Sequence, residues 1–125
     1  MLKRYLSLAT AVAFSLGMSA QTHASEMTSA YQQYQQAVST GDTAQTLKFA
    51  QQALEAGQQK YASDSDNLFA LKYNVAAANL KAGNNDAAVE QFETLASNAA
   101  QQFGKLALKT LATRLDWYKA LLQKA

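Results

Sequence analysis

The chain has 125 residues, with eleven basic and nine acidic side chains, one His, no Cys and no Pro. Without Cys there are no disulfide staples, no thiol nucleophile and no lipidated cysteine of a lipoprotein, so stability must come from packing. The length allows one domain with a modest core and leaves no room for two.

The stretch "MLKRYLSLATAVAFSLGMSAQTHA" places Lys3 and Arg4 ahead of an uncharged run whose apolar part extends from Tyr5 to Met18. That is the layout of a secretory signal. The run is shorter than the ~20 residues a spanning helix needs and is interrupted by Ser, Thr and Gly. Thr22 and Ala24 are small residues at the two positions a signal peptidase reads, so cleavage is expected after Ala24, with Ala20 as the second choice. The expected location is the bacterial periplasm. Lys3 and Arg4 account for both units of the +2 formal charge, and residues 25–125 then balance nine basic against nine acidic side chains. His23 leaves with the leader, which removes the commonest general base and transition-metal ligand from the mature chain.

Abundant Ala and Gln, isolated Gly and the absence of Pro predict long helices joined by short turns. Met27, Tyr31, Tyr34 and Val38 follow helical spacing, as do Leu47, Ala50, Leu54, Gly57 and Tyr61. A third helix carries two stripes, Leu68, Leu71 and Val75 on one and Phe69, Tyr73, Ala76 and Leu80 on the other, so it is expected to be covered on two sides. Asp64, Ser65, Asp66 and Asn67 supply its candidate N-caps. Val89, Phe92, Ala96, Ala99 and Phe103 mark a fourth helix that stops near Gly104, and Leu108, Leu111, Leu115, Tyr118 and Leu122 run down a fifth.

Gly83 lies 42 residues after Gly41, and the same shift takes Tyr31 to Tyr73, Val38 to Leu80, Leu47 to Val89, Ala50 to Phe92 and Tyr61 to Phe103. A second shift takes Phe69 to Leu111, Tyr73 to Leu115, Ala76 to Tyr118 and Leu80 to Leu122. The pattern predicts an internal repeat: one unit over 27–62, a second over 65–104, and a closing half-repeat over 105–124 that covers the last apolar face.

The segment "YNVAAANLKAGNNDAAVEQFETLA", Tyr73 to Ala96, resembles a tetratricopeptide (TPR) repeat, with an aromatic-Asn-apolar-small opening, Gly83 at the turn, and Ala88 and Phe92 on the second helix. The earlier unit keeps Tyr31, Gly41 and Ala53 but has Tyr34 and Thr46 where small residues are usual. The period also exceeds the usual repeat of about 34 residues, which implies longer second helices. The resemblance implies an all-α fold of antiparallel hairpins stacked as a short solenoid. It also implies a binding module whose groove is lined by Tyr31, Gln35, Val38, Tyr73, Asn74, Ala77 and Lys81, joined by Asp116 and Lys119 of the last helix. The first unit has Tyr31 and Gln35 in place of the Lys and Asn of a carboxylate clamp, so a clamp for a peptide C-terminus is not implied.

Trp117 and Leu121 are a second candidate contact, for a partner or another copy, because they lie beside the main stripe of the last helix. From Lys105 onward five basic residues meet only Asp116, a solvated basic face rather than a nucleic-acid site in an exported protein. Glu90 with Glu93, and Asp64 with Asp66, are explained by helix solvation and N-capping; neither pair belongs to a calcium loop, and no metal or cofactor is expected. The expected function is a non-catalytic adaptor or accessory subunit that binds a peptide or a partner helix and meets the membrane only indirectly. The alternatives are a homo-oligomer built through the last helix and, remotely, a small enzyme.

Overall fold

The computed structural model describes residues 19–125, with side chains from residue 25 onward. The leader expected over residues 1–24 lies outside the described residues apart from the backbone of its last six. Among the described residues the chain forms five α-helices and no strand: α1 (Ser19–Thr40), α2 (Thr43–Lys60), α3 (Asp66–Lys81), α4 (Asn85–Phe103) and α5 (Leu108–Lys124). Each packs on the next in sequence, as antiparallel hairpins do. No described helix is long and apolar enough to cross a membrane. The expected cleavage point after Ala24 lies within α1.

The two hairpin turns close in the same way. After α1, Gly41 adopts φ +75°; its N–H donates to the Val38 carbonyl at 3.2 Å and the Asp42 N–H to the Ala37 carbonyl at 3.1 Å. After α3, Gly83 adopts φ +82°; its N–H donates to Leu80 at 3.2 Å and the Asn84 N–H to Asn79 at 2.9 Å. This paired bonding satisfies helix-end carbonyls and requires the left-handed conformation that Gly tolerates. Asp42 then caps α2 by accepting from the Gln45 N–H at 3.0 Å. Asn84 stands at the N-cap of α4 but its side chain makes no capping bond; its amide donates to Asn79 Oδ1 at 3.1 Å, while buried Asn79 donates to Gln91 at 2.9 Å. Of the four candidate caps before α3, Ser65 accepts from the Leu68 N–H, at 3.0 Å.

Helix α3 is covered on both sides, as its two stripes require. Leu71, Val75 and Ala78 pack against Ala30 of α1 and Ala50, Ala53 and Leu54 of α2. Gly57 is buried beside Leu71, whose side chain occupies the space a Cβ would need. On the other side, Phe69, Tyr73, Ala76 and Leu80 meet Ala88, Phe92 and Leu95 of α4, with Trp117 and Ala120 of α5 completing the cluster. Edge-to-face ring pairs, Phe69 with Phe103 at 5.5 Å and Tyr73 with Phe92 at 5.6 Å, align α3 with α4.

The outer helices differ from the stripes read in the sequence. In α1 the buried residues are Ala30 and Ala37, while Tyr31 and Val38 are exposed, because the small side chains allow α2 to approach closely. In α5 the reversal is complete: Thr110, Thr113 and Ala120 are buried, whereas Leu108, Leu111, Leu115, Tyr118 and Leu122 are exposed, from 45% at Leu111 to 83% at Leu108. The closing helix therefore covers the second hairpin with Thr110, Thr113, Ala120 and Trp117 and turns its Leu stripe outward. The buried hydroxyls are satisfied, Thr110 donating to the Gly104 carbonyl and Thr113 to Lys109, each at 2.7 Å. Burial keeps the 42-residue register: Leu68, Leu71 and Ala78 correspond to Thr110, Thr113 and Ala120.

Gly83→Ala is expected to lower stability in thermal unfolding by about 1 kcal/mol or more, since no atom lies near the added Cβ and the cost is the left-handed backbone alone. Gly83→Asn should cost less, and an Ala variant as stable as the parent would contradict this turn geometry.

Candidate functional site

The residues expected to share one groove separate into three environments. Tyr31 of α1 and Asn74 of α3 face a common cleft of about 250 Å³, with Met27, Tyr61, Asn67 and Leu71 among its other walls. Tyr31 stacks on Tyr34 at 5.9 Å between ring centroids, with the planes 27° apart. Burial, then the neighbouring Tyr31, raises the pKa of the Tyr34 phenol. The cleft offers an aromatic face, an apolar floor at Leu71 and two amides, Asn67 and Asn74. Such a set can pack an apolar side chain and hydrogen-bond a peptide backbone.

Tyr73 and Ala77 belong instead to the core between α3, α4 and α5. The Tyr73 hydroxyl donates to the Asp116 carboxylate, whose other oxygen lies 3.7 Å from Lys119 Nζ. Asp116, expected at the groove, thus helps to hold α5 against α3, while Lys119, also expected there, pairs with it within α5. Burial raises the Tyr73 phenol pKa most, followed by the hydrogen bond to Asp116 and its negative charge, and then by Tyr34. Gln35 and Lys81 are exposed and outside the cleft. Trp117 packs back against the second hairpin with its Nε1 buried and without a hydrogen-bond partner, while Leu121 is 39% exposed.

Tyr61 and Asn67 were not among the residues expected at the groove. They flank the α2–α3 connection, and only the packing of that connection beside α1 brings them to Tyr31. A second hollow of about 340 Å³, also unexpected, lies among α2, α3 and α4. Leu54, Val75 and Leu95 contribute apolar lining, and Lys72, Glu90 and Asn98 polar lining. A larger hollow of about 680 Å³ between α1 and α2 is lined mainly by solvated polar side chains such as Gln33, Gln52, Glu55 and Gln59, which give a ligand little to bury against. Among the described residues no group of three or more His, Cys, Asp or Glu side chains is arranged to hold a metal ion.

No protein-family model matches the chain, and neither a curated protein nor a solved structure shows significant similarity to it.

The raised phenol pKa of Tyr73 sets the sign of an alkaline effect. The unfolded phenol ionises near pH 10.0 and the folded one higher, so its contribution is complete below pH 10 and is lost as the pH rises through the folded value. Tyr73→Phe should lower stability at pH 7 by about 1 kcal/mol and make the loss of melting temperature above pH 10 shallower than in the parent. Parallel alkaline profiles for parent and variant would show that Tyr73 does not carry the effect.

Proposed function

We propose that the protein is a non-catalytic, TPR-like interaction module exported to the bacterial periplasm, where it serves as an adaptor or accessory subunit. It takes a peptide or a helix from a protein partner into the cleft between α1 and α3. The observation that carries this reading is the convergence of Tyr31 and Asn74 on that cleft from corresponding helices of two successive hairpins. The shared Gly41 and Gly83 closures and the 42-residue burial register support a repeat array, and the leader-like sequence before Ser25 supports export. Self-association through α5 is the second reading, favoured by its outward Leu stripe.

The test is affinity capture from envelope extract with the full chain, beside a Tyr31→Ala, Asn74→Ala variant of unchanged helicity. The adaptor reading expects a single partner held by the parent and lost from the variant. Capture of nothing, or equal capture by both, would assign the cleft to scaffolding.

A further inference from the structure

The outward stripe of α5 corresponds, in the 42-residue register, to the stripe of α3 that α4 covers. Leu111, Leu115, Tyr118 and Leu122 stand where Phe69, Tyr73, Ala76 and Leu80 stand one unit earlier. The earlier set packs against Ala88, Phe92 and Leu95, whereas the later set is 45–77% exposed. The corresponding face of α1 differs: Glu26, Ser29, Gln33 and Gln36, which correspond to Leu68, Leu71, Val75 and Ala78, are polar and exposed. Polar outer faces are what end units of helical arrays need for solubility. That face of α1 is thus polar, and α5 presents an apolar one.

The groove beside that face repeats as well. Leu54, Lys72 and Val75 line the hollow that α4 walls, and their counterparts Ala96, Arg114 and Trp117 line a hollow of about 360 Å³ between α4 and α5. We propose that this face docks an acidic amphipathic helix of another protein, seated on α5 as α4 is seated on α3. The choice of occupant follows from charge. α4 carries Asp86, Glu90 and Glu93 and no basic residue, and Glu90 shares its hollow with Lys72. Arg114 takes the place of Lys72 in the next hollow, which Glu93 of α4 also lines, and has no ion pair among the described residues; with Lys119, whose ammonium lies 3.7 Å from Asp116 of the same helix, it flanks the Leu stripe on its two sides. A helix bearing carboxylates beside its apolar face complements Arg114, the basic residue at this stripe without an ion pair among the described residues. A second copy of α5 would instead set Arg114, Lys119 and their neighbours against a surface of the same sign.

This inference shares the interaction-module reading but not its cleft, and the test separates the two. The probe is a synthetic peptide of residues 85–103, blocked at both ends and fluorescently labelled, titrated against the full chain by anisotropy. An isolated helix of 19 residues is only marginally stable, so micromolar binding is expected, weakening as salt is raised. Leu111→Glu with Leu115→Glu, at exposed positions that leave helicity intact, should weaken binding at least about tenfold. Arg114→Glu should weaken it and flatten its salt dependence, whereas the Tyr31→Ala, Asn74→Ala variant should bind as the parent does. Equal binding by the Leu111, Leu115 variant would mean that the peptide exchanges with α4 and would overturn the proposal. So would a monomeric parent that does not bind, or a dimer by light scattering that the same two substitutions dissociate.

Discussion

A helix with apolar residues on two faces must be covered from two sides, and α3 imposes that requirement on the whole molecule. Leu71, Val75 and Ala78 draw in α1 and α2, and Phe69, Tyr73, Ala76 and Leu80 draw in α4 and α5. Burial of apolar surface is the main favourable term available to a chain without disulfides, and here it runs through one central helix. The turns translate that requirement into a hairpin array. Gly41 and Gly83 reverse the chain within a few residues, so consecutive helices are held antiparallel and in contact.

Much of this core is Ala, and Phe92 is the largest of its fully buried side chains. Small side chains let helix axes approach and gain contact by proximity rather than by volume. Because each helix packs chiefly on its sequence neighbours, stability is shared locally, and surface features arise where successive units meet or where the array presents an end. The cleft holding Tyr31 and Asn74 is of the first kind, and the outward face of α5 is of the second. Both offer apolar surface edged by hydrogen-bonding or charged groups.

Helices, turns and the double face of α3 were legible in the sequence because period and punctuation are local properties. Ser65, Gly41 and Gly83 act where the pattern put them. The orientation of α5 was not legible from its own pattern. Hydropathy locates the stripe Leu111, Leu115, Tyr118 and Leu122, but whether a stripe is covered depends on a neighbour. The inward face of Thr110, Thr113 and Ala120 has little hydropathy signal at all. The repeat register carried the missing information, since shifting Leu68, Leu71 and Ala78 by one unit lands on those three residues. The groove was half legible for the same reason. Tyr31 and Asn74 reach the cleft, while Tyr73 lies on the forward stripe that α4 covers and is spent on Phe92 and Asp116.

Helix α5 packs inward through Thr110, Thr113, Ala120 and Trp117 and presents its Leu stripe outward. Thermal unfolding of Thr113→Glu and Leu115→Glu, measured side by side on the full chain, distinguishes the buried face from the exposed one. Thr113 is 1% exposed and Leu115 55%. A carboxylate at 113 should cost about 3 kcal/mol or more, while one at 115 should change stability by no more than about 0.5 kcal/mol. A tolerant Thr113 with a strongly destabilised Leu115 variant would mean that the Leu stripe is the buried face, and the reading of α5 would fall.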